Sequence, residues 1–216
     1  MNPLAKIDLF EGLEPEVLAD LAGQLVSRKV PKNTIVISEG DATDSLFIIV
    51  SGRVKVFVGN DEGREITLCT QGPGEYFGEL PLLDGDGRSA SVLTLEPCQF
   101  TVIERRAFLG CLTAHPSMAT ALIRNLSRRI RRLTNLARNL ALLDVYGRVV
   151  RTLLELAKDE NDRRVIDERL THQEIANRVG ASREMVSRIM KDLADGGYVR
   201  TESGRLFVSE RLPPGW

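Results

Sequence analysis

The sequence predicts an α+β fold with three successive parts: an N-terminal antiparallel β-roll, one long helix, and a C-terminal helix-turn-helix followed by a two-stranded wing. Short β-branched runs separated by turn residues extend from about residue 35 to residue 102, which is typical of a small antiparallel roll. From about residue 116 the apolar residues recur at helical spacing. Two short amphipathic segments around a glycine turn follow near the C-terminus. We predict two domains, residues 1–143 and 144–216.

The composition is that of an ordinary globular protein, and it narrows the expected partners. The formal net charge is −1 over 216 residues, so an anionic partner must be met by a local basic surface. Three widely spaced cysteines without a CxxC pair predict buried thiols in a reducing compartment, and we therefore expect a cytoplasmic protein. We also expect neither a secretory signal nor a membrane span, because no long continuous apolar run is present.

The roll is predicted from six strand-length segments that are rich in β-branched and aromatic residues. They are TIVI, LFIIV, VKVFV, ITL, SASVL and QFTVI. Turn signals lie between them at short and regular intervals, among them EGD at Glu39, SG at Ser51 and QGPGE from Gln71. Such spacing indicates that neighbouring strands pair antiparallel.

Two clusters of polar residues lie close together in the stretch FGELPLLDGDGRSAS, which begins at Phe77. Gly78 and Glu79 precede a loop of glycines and aspartates, and Arg88 and Ser89 follow it. This loop favours a turn, because glycine adopts positive φ without strain and aspartate bonds to its own backbone. We expect the turn to bring Arg88 back toward Glu79. The alternative, that these two side chains simply form an ion pair, does not account for Ser89 or the glycines.

The long helix, at about residues 116–143, carries a second pattern. Its apolar residues follow a 4, 3, 4, 3 spacing, which is the a/d pattern of a two-stranded coiled coil; they are Leu126, Ile130, Leu133, Ala137 and Leu140. A helix of about 26 residues is roughly 39 Å long, which is more than a small roll needs for cover. The pattern therefore favours a homodimer seam. The alternative is an amphipathic helix that lies on its own domain.

Asp144, in the segment LLDVYGR, interrupts the long helix at a position where its side chain can cap the next one. We therefore expect a hinge between the domains at Leu143 and Asp144. Apolar residues at helical spacing continue into the next helix: Val145, Val149, Leu153 and Leu156. The charged stretch KDENDRR after it is predicted as a surface loop.

A helix-turn-helix is predicted in the stretch from Thr171 to Tyr198. Thr171 and Glu174 form a T-x-x-E capping box, Gly180 ends the first helix, and Ser182 can cap the second. Six apolar residues are spaced to form one core shared by both helices: Ile175, Ala176, Val179, Val186, Ile189 and Leu193. The following segment GGYVRTESGRLFVSE predicts a wing of two strands that meet at a Ser-Gly turn.

The outward residues of this motif have the chemistry of a DNA reader. An arginine can bond to guanine O6 and N7 together, and a carboxylate can accept from cytosine N4. First-turn residues of the second helix reach base edges, whereas the first helix and the caps contact phosphates. The residues expected to face DNA are His172, Gln173, Ser182, Arg183, Glu184, Ser187 and Arg188. The alternative is a helical hairpin with a salt-bridged surface, which would not require the wing.

Three motifs together resemble the CRP/FNR family of bacterial transcription regulators, and most closely its cyclic-AMP receptor branch. They are GEL at Gly78 with RSAS at Arg88, NLALLDVYGR at Asn139, and THQEIANRVGASREMVSRI at Thr171. The resemblance covers nearly the whole chain. It implies a phosphate-binding cassette, a hinge and a DNA reader, in that order. It also implies a homodimer, an inverted repeat of a TGTGA-like half-site, and contact with RNA polymerase if the protein is an activator.

The resemblance implies a cyclic nucleotide effector. Glu79 would accept a hydrogen bond from the 2′-hydroxyl, Arg88 would pair with the phosphate, and Ser89 and the amides of the turn would complete the anion site. The implied ligand residues are Gly78, Glu79, Leu80, Arg88, Ser89, Ala90, Arg129, Leu133 and Thr134. Among them, Arg129 matches a family position near the phosphate and Glu79.

The identity of the base stays open, because one family position has changed. Two adjacent hydroxyl residues reach the adenine in the cyclic-AMP receptor branch, and the matching residues here are Leu133 and Thr134. Cyclic AMP is the first expectation and cyclic GMP the second. Cyclic di-GMP is less favoured, because it does not need an intact mononucleotide cassette. A ligand-independent DNA binder is a further alternative.

Other sensors and an enzyme are not expected. The iron–sulfur members of the family carry a cysteine cluster near the N-terminus, but the first cysteine here is Cys69. Haem-sensing members use sensor ligands that neither His115 nor His172 matches, and no metal is expected. The best pair for an enzyme would be Cys111 and His115, but no orienting carboxylate or oxyanion motif accompanies them.

Overall fold

The computed structural model describes residues 7–10, 13–23, 25–160, 163–167, 170–209 and 212. The chain forms two compact units, one of residues 1–58 with 68–132 and the other of residues 59–67 with 133–216. The predicted division at residues 143 and 144 stays a prediction. In the described part, none of the helices has the length and apolar character that crossing a membrane requires.

The first unit contains the predicted roll, built from two four-stranded antiparallel sheets. One sheet has the order β1 (Val26–Val30), β8 (Cys98–Glu104), β3 (Ser45–Ser51) and β6 (Tyr76–Phe77). The other has the order β2 (Ile35–Ile37), β7 (Ser91–Thr94), β4 (Val54–Gly59) and β5 (Glu65–Gln71), the last two extending into residues 59–67 of the second unit. Each of the six predicted segments overlaps a strand, although Ser89 and Ala90 of SASVL precede β7, so the β-roll is confirmed.

Two apolar clusters form the interior of the first unit. One is aromatic: Phe47 stacks on Phe77 with ring centroids 5.2 Å apart, and Phe100 meets both rings edge to face. The other joins the roll to four helices: α1 (Pro15–Ala22), α2 (Leu80–Asp84), α3 (Arg105–Ala114) and the start of α4 (Pro116–Leu142). Phe77 belongs to the aromatic cluster and directly precedes Gly78 and Glu79. Packing of this cluster therefore holds in place the backbone that carries Gly78 and Glu79.

The long helix α4 spans Pro116–Leu142, as predicted. Met118, Ala121 and Leu122 near its start are buried. Further along, three apolar residues of the a/d pattern face outward, since Ile123 and Ile130 are each 63% exposed and Leu133 is 46% exposed. Leu126 and Leu140 of the same pattern are half-buried. A water-exposed apolar stripe of this length is unusual in a monomer.

The second unit contains α5 (Val145–Leu156), α6 (His172–Val179) and α7 (Arg183–Asp195). A four-stranded antiparallel sheet accompanies them, in the order β11 (Val199–Glu202), β12 (Arg205–Val208), β10 (Arg163–Ile166) and β9 (Lys158–Glu160). Strands β11 and β12 form the predicted wing, and both turn residues have positive φ, 52° at Ser203 and 79° at Gly204. All six predicted core residues of the helix pair are buried.

The prediction of a surface loop at KDENDRR was wrong. Lys158–Glu160 and Arg163–Ile166 form the antiparallel pair β9 and β10, with Arg163 opposite Glu160 and Arg164 opposite Asp159. The exposed face of an antiparallel strand accepts charged residues, and opposite charges across the pair stabilise it. Strand β1, with the sequence VSRKV, was missed because it shows little of the alternation that marks a strand.

Candidate ligand site and DNA-reading surface

Arg88 is the centre of the candidate ligand site. Its side chain enters the roll, where only 3% of the residue is exposed. Nε donates to Thr43 Oγ1 at 3.0 Å, and the two terminal nitrogens donate to Gly78 O at 2.7 Å and to Ser45 O at 2.9 Å. A guanidinium has five N–H groups, so two of them stay available to an incoming anion.

Burial lowers the pKa of the Arg88 guanidinium, while the carboxylates of Asp44, Glu79 and Asp41 oppose that shift. An arginine nevertheless stays cationic at any physiological pH. The site therefore presents a desolvated positive charge, which an anionic ligand can neutralise. None of the three hydrogen bonds of Arg88 goes to a carboxylate, so its charge is not already neutralised by direct pairing within the described residues.

Gly78 is required by the way Arg88 is held. Its φ is +84°, and a Cβ added there would lie 2.5 Å from an Arg88 terminal nitrogen and 2.9 Å from Ser45 O. Any side chain at this position would displace the guanidinium.

We expect Gly78→Ala to weaken ligand binding more than its backbone strain explains. Gly40→Ala is the matched control, because Gly40 has a φ of +82° with nothing within 4 Å of its added Cβ. Each substitution forces an L-residue into a conformation that costs about 1–3 kcal/mol. Thermal melts should show both losses of stability, and calorimetry should show the loss of nucleotide affinity for Gly78→Ala alone. Equal nucleotide affinities of the two variants would contradict this role of Gly78.

Glu79 lies opposite Arg129, not Arg88. Glu79 is 3% exposed, and its Oε1 accepts a hydrogen bond from a terminal nitrogen of Arg129 at 2.6 Å. The second guanidinium nitrogen of Arg129 donates to Tyr76 O at 2.5 Å, and the guanidinium lies over the Tyr76 ring. The second carboxylate oxygen of Glu79 is buried and accepts no hydrogen bond within the described residues. The alternative of a direct Glu79–Arg88 ion pair is therefore not what this structure forms.

The loop before Arg88 uses most of its own amides. Asp86 N donates to Asp84 Oδ1, Gly87 N donates to the Asp86 carboxylate, and Arg88 N donates to Asp41 O. These three amides are thus not available to an anion, although the amides of the turn were expected to complete the anion site. The amides of Ser89 and Ala90 have no hydrogen-bond partner in the described part of the chain. The expected phosphate donors are therefore the Arg88 side chain and the backbone amides of Ser89 and Ala90.

Leu133 and Thr134 follow Arg129 by about one turn of α4, and both are exposed. Leu80 begins α2 directly after Glu79. The structure therefore brings Gly78, Glu79, Arg88 and Arg129 together within the first unit. The expected roles of Leu133 and Thr134 stay predictions.

The candidate DNA-reading surface is built on two capped helices. The Thr171 hydroxyl accepts from Glu174 N at 3.2 Å while Glu174 Oε2 accepts from Thr171 N at 2.7 Å, which confirms the capping box. Ser182 Oγ accepts from Met185 N and begins α7. Gly180 ends α6 with a φ of +63°.

The side chains expected to read DNA lie on the open side of this helix pair. Arg183, Glu184 and Arg188 are exposed, and Ser187 is half-buried. His172 Nδ1 lies 2.8 Å from Ser187 Oγ, which joins the first turn of α6 to α7. Gln173 Nε2 donates to Asn177 Oδ1 at 2.7 Å. In the first turn of α7, the positive Arg183 and the negative Glu184 are therefore both exposed where base edges could contact them.

Arg148 is a residue whose role the sequence did not reveal. The Asp144 carboxylate accepts from Gly147 N at 2.7 Å and caps α5, as predicted. One turn later, Arg148 donates to Leu143 O at 2.8 Å and to Val179 O at 2.7 Å. It thus ties the predicted hinge to the end of α6. Only its place in the NLALLDVYGR motif could have indicated it.

The two residues that were considered for an enzyme, Cys111 and His115, lie at the end of α3. Cys111 is buried, and desolvation raises the pKa of its thiol, which disfavours the reactive thiolate. His115 lies at the C-terminal cap of α3, where its backbone amide donates to Cys111 O.

Comparison with known proteins agrees with both parts of this geometry. Residues 27–115 match the cyclic nucleotide-binding domain family, and residues 147–211 match the Crp-like helix-turn-helix domain family. The chain is 36% identical over 211 residues to the CRP-like cAMP-activated global transcriptional regulator of Mycobacterium tuberculosis. That similarity covers 96% of this chain and 94% of the relative.

Two solved structures extend the similarity to the fold. The c-di-GMP-responsive global regulator CLP of Xanthomonas campestris has a TM-score of 0.80 at 28% identity, over 92% of this chain and all of that one. The catabolite activator protein of Thermus thermophilus has a TM-score of 0.57 at 32% identity, over 94% of each chain. From these matches over nearly its whole length, the chain belongs to the CRP/FNR family, as a CRP-like DNA-binding transcription regulator controlled by a cyclic nucleotide and not as an enzyme.

Proposed function

We propose that the protein is a homodimer that binds an inverted repeat of a TGTGA-like half-site when cyclic AMP occupies its roll. The observation that carries the ligand half of this proposal is the buried Arg88 guanidinium with two unused N–H groups. A cyclic phosphate carries one negative charge and only acceptor oxygens, so it complements this group. The acceptor oxygen of Glu79 that has no donor suits the 2′-hydroxyl of the ribose.

The exposed stripe of α4 supports the homodimer. Ile123, Ile130 and Leu133 lie on the a and d positions of one heptad pattern, and a second copy of the helix would bury them. Two recognition helices related by a two-fold axis can enter successive major grooves about 34 Å apart. An inverted repeat is the operator that such a dimer requires.

The hinge residues Leu143 and Asp144 are proposed as the place where ligand binding alters the DNA-reading unit. Asp144 caps α5 directly after α4 ends at Leu142. Loss or gain of that cap would allow α4 to change length by part of a turn. Arg148 would transmit the change to α6 through Leu143 O and Val179 O.

Cyclic GMP and cyclic di-GMP are the competing ligands, and two observations support testing them. Leu133 offers no hydroxyl to a base, and the CLP relative responds to cyclic di-GMP. Calorimetric titration of the purified protein with all three nucleotides tests the choice. If cyclic AMP binds most tightly, the result agrees with the proposal. If cyclic GMP or cyclic di-GMP binds more tightly, that nucleotide is the ligand instead of cyclic AMP.

Arg183→Ala is the test of the DNA half. We expect it to weaken operator binding by about 1–3 kcal/mol and to relax the preference at one guanine of each half-site, because a bidentate contact is lost. Gln173→Ala, which removes an expected phosphate contact, should instead weaken all sequences alike. Binding to a library of randomised half-sites distinguishes the two. An unchanged preference at every position would exclude Arg183 as a base reader.

A further inference from the structure

Gln71, the last residue of β5, is a buried polar residue that is not among the predicted ligand residues. It is 4% exposed, and its Nε2 donates to Tyr76 O at 3.0 Å. Since a carbonyl only accepts, the amide nitrogen must face Tyr76 O, and this fixes the orientation of the amide. Its Oε1 is buried and accepts no hydrogen bond from any described residue.

Gln71 belongs to the same hydrogen-bonded network as Glu79. Tyr76 O accepts from both Gln71 and Arg129, and the Arg129 guanidinium also pairs with Glu79 Oε1. The network therefore ends in two buried acceptors that have no donor, Gln71 Oε1 and Glu79 Oε2. Buried acceptors of this kind are rare and destabilising unless a bound molecule or an ordered water supplies the donors. Two of them in one network suit a ligand that brings two donors.

We propose that Gln71 is a ligand-binding residue whose Oε1 accepts a hydrogen bond from an amino group of the nucleotide base. This inference rests on the proposed cyclic nucleotide function. A 3′,5′-cyclic ribonucleotide has one free sugar hydroxyl, and its phosphate oxygens only accept. When Glu79 takes the 2′-hydroxyl, the remaining donors of the ligand belong to the base.

The fixed amide makes the contact selective. Because Nε2 is held by Tyr76 O, Gln71 offers the base an acceptor and not a donor. It therefore favours an exocyclic amine, which both adenine and guanine carry, over a base that lacks one. This contact would supply polar base recognition although Leu133 has no hydroxyl.

A double-mutant cycle between the protein and the base tests the contact. Gln71→Met keeps the length of the side chain and removes the acceptor. Wild type should bind cyclic AMP roughly 2- to 12-fold more tightly than its 6-deamino analogue, as expected for one neutral hydrogen bond. The variant should bind the two equally. If Gln71→Met does not fold, Gln71→Leu replaces it in the same cycle.

Gln99→Met is the matched control, since Gln99 is a glutamine of the same roll on β8 whose Nε2 donates to Ser27 Oγ. It should keep the wild-type ratio. An equal loss of affinity for both nucleotides in Gln71→Met would assign Gln71 a purely structural role and overturn the proposal. Gln71→Met could instead change the affinity ratio between cyclic AMP and its 2′-deoxy analogue while the ratio for the 6-deamino analogue stays as in wild type. This result would assign the Gln71 contact to the ribose and would also overturn the proposal.

The failure of the proposed function gives a different result from the failure of this inference. If wild type binds cyclic GMP instead, the matched pair becomes cyclic GMP and cyclic IMP, which lacks the 2-amino group, with the same expected ratios. If wild type binds no cyclic nucleotide, the proposed function fails, and the contact to the base fails with it. Nucleotide binding without coupling to Gln71 overturns the inference alone.

Discussion

Replacing Arg88 with leucine is expected to reduce cyclic nucleotide affinity by about 3–5 kcal/mol, or roughly two to three and a half orders of magnitude. The variant would leave a buried phosphate without its counter-charge, and breaking a buried pair in this way has a cost of that size. Calorimetry at increasing nucleotide concentration measures the loss.

Stability must be measured beside affinity, because Arg88 also supports the roll. Its three hydrogen bonds to Thr43, Gly78 and Ser45 disappear in the leucine variant. Arg88→Lys is the appropriate comparison, since it keeps the charge but not the planar fork of donors. We expect lysine to restore part of the affinity. Wild-type affinity in a folded leucine variant would show that the phosphate binds elsewhere.

Ile130→Asp on α4 is expected to give a monomer at micromolar concentration and to reduce operator affinity by several orders of magnitude. Ile130 is 63% exposed at an a position, and a second helix would bury an unpaired carboxylate at that place. A monomer contacts one half-site, so it loses the second set of base and phosphate contacts together. Sedimentation measures the oligomeric state, and gel shift measures the operator affinity.

Asn135→Asp is the matched control for the seam. It adds the same charge to α4 at an exposed f position, on the side opposite the stripe. We expect it to stay dimeric and to bind the operator nearly as wild type does. If Ile130→Asp also remains a dimer, α4 is not the interface.

The local features of this fold could be predicted because each is formed by residues that lie within a few positions of each other in the sequence. The Thr171–Glu174 box, the Asp144 cap and the wing turn all depend on short-range backbone geometry, and all three are confirmed. The six predicted strands of the roll were likewise marked by their own β-branched residues.

The features that the residue pattern did not reveal carry no signal in apolar spacing or turn composition. Glu79 pairs with Arg129, fifty positions away. No spacing rule connects the two, and only the family resemblance had placed Arg129 near Glu79. The two buried acceptors without a donor, Gln71 Oε1 and Glu79 Oε2, can be recognised only in the folded structure, where Gln71 and Arg129 both donate to Tyr76 O. Strands β9 and β10 were read as a loop because their charged residues face water and pair across strands, which hides the apolar signal.

The affinity of the purified protein for an inverted-repeat operator, measured with and without saturating cyclic AMP, tests the central claim most directly. Ligand control requires that the nucleotide tighten DNA binding, and couplings of this type are about 1–3 kcal/mol, or roughly 5- to 150-fold. The operator must then tighten nucleotide binding by the same factor. If saturating cyclic AMP, and cyclic GMP in parallel, both leave operator affinity unchanged, the proposed control by a cyclic mononucleotide is contradicted, even where DNA binding itself is strong.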